Sequence, residues 1–471
     1  MKKNLLSSLF YFLLFFSISS QNAFSQSNEI SSTQAILDKP MSLQECLKFA
    51  VENNPNLKSV KLGERSVDAQ IKEVKTEGMP KIVGSGSYNY NFALAQQLLP
   101  GEMFGQPGTT IPVKFGVANT VSGNIELQQL LFSKSYFTGI KAAQTTKELS
   151  KLNTFKTTED LVYNVAQIYM QLEITEKQKG VLKANIDRID QLIKIAEVQL
   201  EEGLIKKIDV TQLKVNRINL LSEQQSTEIG KIQQLNLLKM YMGVPPQTDL
   251  LLETQDSTKE ENGYLLMEEL SLNQNSDLKL LNKQLEIKAL ELENVNAGYF
   301  PSLSTFVRYG WQGQTDRLFS NDEQYKIQGS KVGIVGVSLN VPIFDSFQKK
   351  HKAEQVRVAQ NQLSFDRQNL INSIQMEFDN ATQTLKQNRT LIETQKENMN
   401  LAEELYDVTR LSYQEGIAPL TELLDAETSL KEAQTQYLTS LLQLNLAELD
   451  YMKSSGQLAE LIQNASTSSN E

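Results

Sequence analysis

The sequence predicts an α+β membrane protein in which long helical hairpins are joined to membrane-type β-strands. Three observations predict this fold. Long segments without Gly or Pro carry apolar residues every three or four positions, which indicates helices. Between them lie segments of about ten residues in which apolar and polar side chains alternate, as in barrel strands. The same order of elements also occurs twice along the chain, which predicts two internal structural repeats.

A glycine marks the tip of each predicted helical hairpin. The chain contains no Gly and no Pro from Ser346 to Glu415, and Gly416 and Pro419 then allow a tight reversal. Apolar residues return at helical spacing after the reversal, at Leu423, Ala426, Leu430, Ala433 and Tyr437. The first half repeats the pattern, because Glu202-Gly203 matches Glu415-Gly416 and Asp209 matches Glu422. Two hairpins of heptad-like helices are therefore expected, each pairing a long helix with a return helix of half its length. A second short helix in each repeat, the first at 42–78, is expected to stack end to end with the return helix so that two short helices match one long one.

Four segments show the alternation of a half-buried strand. Aromatic residues share one parity within two of these segments, at Tyr88 and Tyr90 and again at Tyr309 and Trp311. This pattern predicts transmembrane strands with those four side chains facing lipid or its interface. Two soluble hairpins packed on a core would show the same alternation. The transmembrane interpretation is favoured by the aromatic residues and by a predicted secretory signal peptide, described below. It is also favoured because no other segment is available to cover the core of two soluble hairpins.

These elements divide the chain into five parts. Residues 1–25 are predicted to be a secretory signal peptide, because Lys2 and Lys3 precede an apolar run and a small-residue cleavage site. Residues 26–247 form the first repeat and 264–457 the second, each with a helix, two strands and a long helical hairpin. A polar linker at 248–263 joins them. Residues 458–471 are predicted to be a flexible tail.

The composition argues against several classes of function. A net charge of -10 disfavours nucleic acid as a partner. One His and one Cys exclude the common metal and thiol sites, so no metal or cofactor is expected. Acidic residues abound, but the sequence assigns no apolar pocket that would raise a carboxylate pKa. The chain is therefore not expected to be an enzyme.

The order and duplication of these elements resemble the TolC family of outer membrane efflux channels. The residues that carry the resemblance are Ser42-Leu-Gln-Glu-Cys-Leu with Asn53-Asn-Pro-Asn-Leu, Pro342-Ile-Phe-Asp345, and Gly416 through Glu427. The resemblance covers about residues 40 to 457. It implies a homotrimer whose chains close a twelve-stranded β-barrel in the outer membrane of a Gram-negative bacterium. The helices would form a periplasmic α-barrel that opens when a periplasmic adaptor and an inner-membrane pump engage it.

Family roles can be placed on residues at both tips. The resemblance implies that Asp209, Tyr413, Glu422 and Asp425 belong to the pore entrance and its gate. It implies that Gly203, Leu204, Gly416 and Ile417 contact the adaptor. The arginine that the family carries two residues after the second glycine is Ala418 here, so one gating ion pair is absent or replaced.

Two alternatives remain at this point. Acidic residues after a helix start commonly complement the helix dipole, which would account for Asp425 and Glu427 without a pore. A periplasmic coiled-coil adaptor or interaction protein would also have helical hairpins, but it would lack membrane-type strands. The transported substrate cannot be read from the sequence.

Overall fold

Seven α-helices account for most of the chain that the structure describes. The computed structural model describes residues 39–253, 270–318 and 326–458. The helices are α1 Leu43–Asn53, α2 Pro55–Thr76, α3 Lys134–Glu201, α4 Lys207–Met242, α5 Ser276–Ala297, α6 Gln348–Gln414 and α7 Leu420–Ser455. The predicted signal peptide lies outside the described residues, as do most of the predicted linker and all but the first residue of the predicted tail.

Helices α3 and α6 are the long members of two hairpins, as the sequence predicts. They contain 68 and 67 residues, so each is about 100 Å long. Helix α4 returns along α3, and α7 returns along α6. The hairpins also pack against each other through α3 and α7, which gives the order α4–α3–α7–α6 near the tips. No helix among the described residues is both long enough and apolar enough to cross a membrane.

The short helices stack end to end along the long ones. Asn54 caps α2 by accepting a hydrogen bond from the Leu57 amide at 2.9 Å, and its side-chain amide donates to the Tyr241 carbonyl of α4 at 2.7 Å. In the second repeat Asn275 accepts from the Leu278 amide at 2.9 Å in the same way. Gly456, just after α7, lies against Gln274. The predicted pairing of two short helices with one long helix is therefore observed in both repeats.

The prediction of one continuous helix from 42 to 78 is wrong in one respect. The helix is interrupted at Asn54, whose backbone leaves the helical region at φ -56° and ψ 122°. Pro55 explains the interruption, because proline disfavours helical backbone at the residue before it and is well placed at the first position of the next helix.

The four long strands form one antiparallel sheet. These long strands are β1 Lys81–Tyr90, β4 Asn119–Phe132, β5 Ser302–Thr315 and β6 Gln328–Asn340. Two short strands, β2 Gln96–Pro100 and β3 Thr110–Lys114, lie between β1 and β4 in the chain. The large sheet has the order β1-β4-β5-β6, so β1 and β6 are its edges. Strands β2 and β3 pair separately within the segment 93–114 that joins β1 to β4.

Candidate functional site

Both hairpin tips are built on the same backbone turn. Gly203 and Gly416 adopt positive φ angles of 72° and 73°, which L-residues with side chains rarely adopt. At the first tip the Leu204 amide donates to the Gln199 carbonyl at 2.8 Å, and at the second the Ile417 amide donates to the Ser412 carbonyl at 2.8 Å. Each of these hydrogen bonds joins the first and sixth residues of the turn, as in the Schellman motif with which a glycine ends a helix. The repeat is therefore visible in the backbone as well as in the sequence.

Each tip presents an apolar side chain to solvent. Leu204 is 72% exposed and Ile417 is 80% exposed, directly after the two glycines. A Cβ atom built on either glycine would meet no other atom within 4 Å, so the space beyond the tips is open. The predicted adaptor-contact residues thus lie together at each tip and are accessible.

Tyr413 links the two hairpins near their tips. Its side chain is 4% exposed, and its hydroxyl donates to the Gln199 side-chain oxygen of α3 at 3.3 Å. Burial raises the pKa of Tyr413, and the nearby charge of Asp209 raises it further. Asp209 is therefore close enough to influence Tyr413 electrostatically, and the role of the two residues in a gate stays a prediction. The sequence did not indicate Gln199 as the partner.

The other two predicted entrance residues lie on the exposed surface of α7. Glu422 is in the first turn and Asp425 follows three residues later, so both lie on one face of the helix. Both are exposed in the isolated chain, whereas the next acidic residue, Glu427, is not. The three acidic residues after the turn therefore have two different environments.

Glu427 is buried between the hairpins, an environment that the sequence analysis did not assign to it. Its side chain is 4% exposed and accepts a hydrogen bond from the Asn216 side-chain amide of α4 at 3.2 Å. Burial raises the pKa of Glu427 to about 7, although the charges of Arg188 and Lys431 act to lower it. The sequence carries one signal of this burial, because Glu427 lies four residues after Leu423 and three before Leu430 on the apolar stripe.

At the other end of the molecule the sheet has two different faces. The register pairs Tyr88 with Val121, Ile125 with Tyr309, and Trp311 with Lys331. All four predicted lipid-facing aromatic residues, Tyr88, Tyr90, Tyr309 and Trp311, consequently lie on one face. That face also carries Ile82, Leu127, Val307, Val335, Val337 and Leu339.

The opposite face of the sheet carries polar pairs. Arg308 donates from Nε to the Glu126 carboxylate at 2.8 Å across neighbouring strands. The Ser85 hydroxyl donates to Asn124 at 2.6 Å. The predicted alternation is realised only in part. Strands β1, β4 and β5 place these polar pairs opposite the aromatic residues, whereas Lys331 of β6 lies on the aromatic face and Ile334 on the other.

Comparison with known proteins identifies the family. A model of the family described as outer membrane efflux protein matches residues 47–235 and 269–457, one match in each half. The outer membrane protein TolC of Salmonella enteritidis is 20% identical over 338 residues, which cover 68% of this chain and 65% of that protein. The outer membrane protein TolC of Vibrio cholerae is 19% identical, over 86% of this chain and 90% of its own length.

A solved structure shows the same fold. The crystal structure of the Campylobacter jejuni CmeC outer membrane channel has a TM-score of 0.70 at 16% identity, covering 90% of this chain and 89% of that one. The matched family is one of outer membrane efflux proteins, which confirms the predicted location and the prediction of transport rather than catalysis. The resemblance drawn from the sequence is thereby confirmed, and the chain belongs to the outer membrane efflux protein family.

Proposed function

We propose that three copies of this chain form the outer membrane channel of a tripartite efflux or type I secretion system. Their sheets close a twelve-stranded barrel in the outer membrane, and their hairpins form a periplasmic tunnel that conducts substrates passively. One observation carries this proposal. The sheet has two unpaired edge strands, and the row of helices has an exposed apolar stripe on each of its two outer helices.

The sheet supports closure between copies. Strands β1 and β6 are the edges of an antiparallel sheet of four strands, and they run in opposite directions. The β6 edge of one copy can therefore pair with β1 of the next in the same antiparallel pattern. Four strands alone cannot satisfy their edge hydrogen bonds in lipid, whereas a closed barrel has no edges. The number three comes from the resemblance to the TolC family.

The helices support the same closure. Helices α4 and α6 are the outer members of the row, and both carry exposed apolar residues at heptad-like spacing. On α4 these are Ile208, Val215, Ile218, Ile229 and Ile232, each at least half exposed. On α6 they are Leu401, Leu405, Val408 and Leu411, each more than half exposed. Such stripes are coiled-coil seams without a partner, and a head-to-tail ring would pair one with the other.

The tips support coupling to an adaptor and a pump. Leu204 and Ile417 offer exposed apolar anchors beside Gly203 and Gly416, which suits an approaching helical hairpin. Glu422 and Asp425 would form rings of carboxylates at the entrance, and such rings favour cations. Tyr413 and Asp209 would help to hold the closed tips together.

Cysteine labelling across the sheet tests the membrane assignment. Val335 and Ile334 are adjacent residues of β6, both exposed in the isolated chain, and they lie on opposite faces. In intact outer membranes we expect a water-soluble, membrane-impermeant thiol reagent to label Ile334→Cys in the water-filled lumen and to spare Val335→Cys in lipid. Arg308→Cys and Tyr309→Cys on β5 provide a second pair with the same expectation.

The controls make this experiment decisive. All four variants are made with Cys46→Ser, because denaturant would expose that buried native thiol to the reagent. Labelling of all four after detergent and denaturant treatment then shows that each introduced cysteine is present and reactive. Equal labelling of Val335→Cys and Ile334→Cys in membranes would overturn the barrel. Recovery of the chain in the soluble periplasmic fraction would favour an interaction protein without a membrane barrel.

A further inference from the structure

A group of buried polar side chains lies between the hairpins a few helical turns above the tips. Glu427 of α7, Tyr406 of α6 and Asn185 of α3 are 4%, 2% and 1% exposed. Tyr406 belongs to the apolar core that the hairpins share near their tips, together with Leu192, Leu213, Leu423 and Leu430. Polar groups in such a core are costly unless they are paired, so their presence calls for a function.

The contacts of this group cross from one hairpin to the other. Asn216 of α4 donates to Glu427 of α7 at 3.2 Å. The Arg188 guanidinium of α3 lies over the Tyr406 ring of α6, 5.4 Å from its centroid. Lys431 of α7 pairs with Glu223 of α4. All three contacts join the two hairpins, so a separation of the hairpins at this point would break them.

The group is not fully satisfied in the packed state. Within this part of the described structure, four buried side-chain atoms of the group and its neighbours have no hydrogen-bond partner, namely Asn185 Nδ2, Arg188 Nε, Tyr406 Oη and Arg410 Nε. Unsatisfied buried polar atoms store unfavourable free energy that hydration releases. The polar group therefore weakens the packing between the two hairpins, while the apolar residues of the shared core stabilise that packing.

Charged groups from all four helices surround this group of buried polar side chains, and Arg188 and Lys431 act directly on Glu427. Arg188 comes from α3, Lys431 and its partner Glu223 from α7 and α4, and Arg410 with Asp407 from α6 beside Tyr406. The two cations nearest to Glu427 favour its ionised form, but burial outweighs them. Burial also raises the pKa of Tyr406, and the charge of Glu427 adds to that effect.

We propose that Glu427 is a proton-sensitive latch that couples the two hairpins and sets the balance between closed and open tips. This inference rests on the proposed channel function. Protonated Glu427 is compatible with burial against Asn216 and Tyr406, and the hairpins stay together. Ionised Glu427 favours separation, because water reaches the carboxylate and the unsatisfied atoms around it once α7 moves away from α3.

The direction of the pH effect follows from linkage. The pKa of Glu427 is about 7 when buried, against 4.5 for an ordinary glutamate. A raised value for an acid means that the closed state binds more protons than the open state between these limits. The closed packing is therefore most stable below about pH 4.5 and loses stability as the pH rises through about 7. Between about pH 6 and about pH 8 the open-to-closed ratio of one protomer should rise about tenfold.

Conductance and hydrogen exchange of the full-length assembled protein test this latch together. In planar bilayers we expect wild-type conductance to rise between about pH 6 and about pH 8. Glu427→Gln should remain at the low-pH level throughout, because its neutral amide mimics the protonated acid. Glu432→Gln, an exposed position on the same helix, is the matched control and should follow wild type. Amide exchange in 420–434, corrected for intrinsic rates, should show the same three responses.

The two measurements separate failure of the latch from failure of the channel. If Glu427→Gln keeps the wild-type pH response in both measurements, the latch is overturned and the channel stands. If wild type conducts at no pH while remaining assembled, the channel proposal fails. Hydrogen exchange then still decides the latch. If hydrogen exchange in 420–434 depends on pH in wild type and this dependence is lost in Glu427→Gln, the latch is supported. If Glu427→Gln and wild type show the same dependence, the latch is overturned.

Discussion

The long helices of the two repeats, α3 and α6, have nearly the same length but opposite surroundings. Helix α3 lies inside the row of helices, where α2 and α4 cover one side and α5 and α7 cover the other. Its buried residues include Leu161, Val165, Leu172, Ile189 and Leu192. Helix α6 lies at the edge of the row and packs on α5 and α7. Its residues Leu401, Leu405, Val408 and Leu411 remain exposed.

This difference supports the proposed association of copies. Two similar sequence units would bury similar faces if each were self-sufficient. Instead the first long helix is covered within the chain, while the second exposes an apolar stripe that the proposed ring would cover with another copy. In the proposed ring the α4 stripe at the other edge of the row would cover the α6 stripe, and the open edges of β1 and β6 would pair in the same way.

The largest expected effect comes from placing charge on the α6 stripe. The double variant Leu405→Asp with Val408→Asp should abolish the trimer, because two carboxylates would be buried in the seam between copies without partners. Size-exclusion chromatography with light scattering in detergent should show a helical monomer.

A buried position on α3 is the matched comparison. Leu192 is 2% exposed, so Leu192→Ala should lower the free energy of unfolding by about 2–5 kcal/mol through loss of core packing. Leu405→Ala should change the unfolding of the separated chain by no more than about 0.5 kcal/mol, since Leu405 is 53% exposed there. If both substitutions destabilised the separated chain equally, the claim that α3 is covered within one chain and α6 is not would be contradicted.

The next largest expected effect is a loss of efflux without a loss of assembly, from a substitution at a hairpin tip. Gly416→Trp should leave trimers in the outer membrane but abolish efflux, because the indole would occupy the open space into which an adaptor docks. The positive φ of Gly416 adds local backbone strain, which an exposed tip tolerates. Gly203→Trp tests the equivalent position of the first repeat. Loss of the trimer in either variant would show that the glycine is structural.

The smallest expected effect concerns the entrance carboxylates. Glu422→Gln with Asp425→Asn should lower cation selectivity and weaken block by multivalent cations, without changing trimer assembly. Reversal potentials in asymmetric salt across planar bilayers measure this directly. Thr428 is an exposed residue on the same helix, and Thr428→Ala should leave both properties unchanged. A wild-type reversal potential in the double variant would favour the helix-dipole role.

The sequence predicted the elements well and their environments less well. Periodicity, Gly203 and Gly416 placed the long helices and tips almost to the residue, because those signals are local. Three features could not be read from periodicity. Which long helix is covered depends on the order of helices in the row. The partner of Tyr413 is Gln199, which lies on the other hairpin. Burial of Glu427 depends on α3 and α4 closing over it, although its position on the apolar stripe was visible.

The most direct test of the ring of complementary edges is disulfide cross-linking between copies. Val215 on α4 and Val408 on α6 lie at similar distances from their tips and point from opposite edges of the row. The double variant Val215→Cys with Val408→Cys should oxidise in membranes to a covalent species of three chains on a denaturing gel. Each single variant should stay monomeric, since a head-to-tail ring never brings two copies of one residue together. Dimers from a single variant, or no cross-link from the double variant, would contradict the assembly.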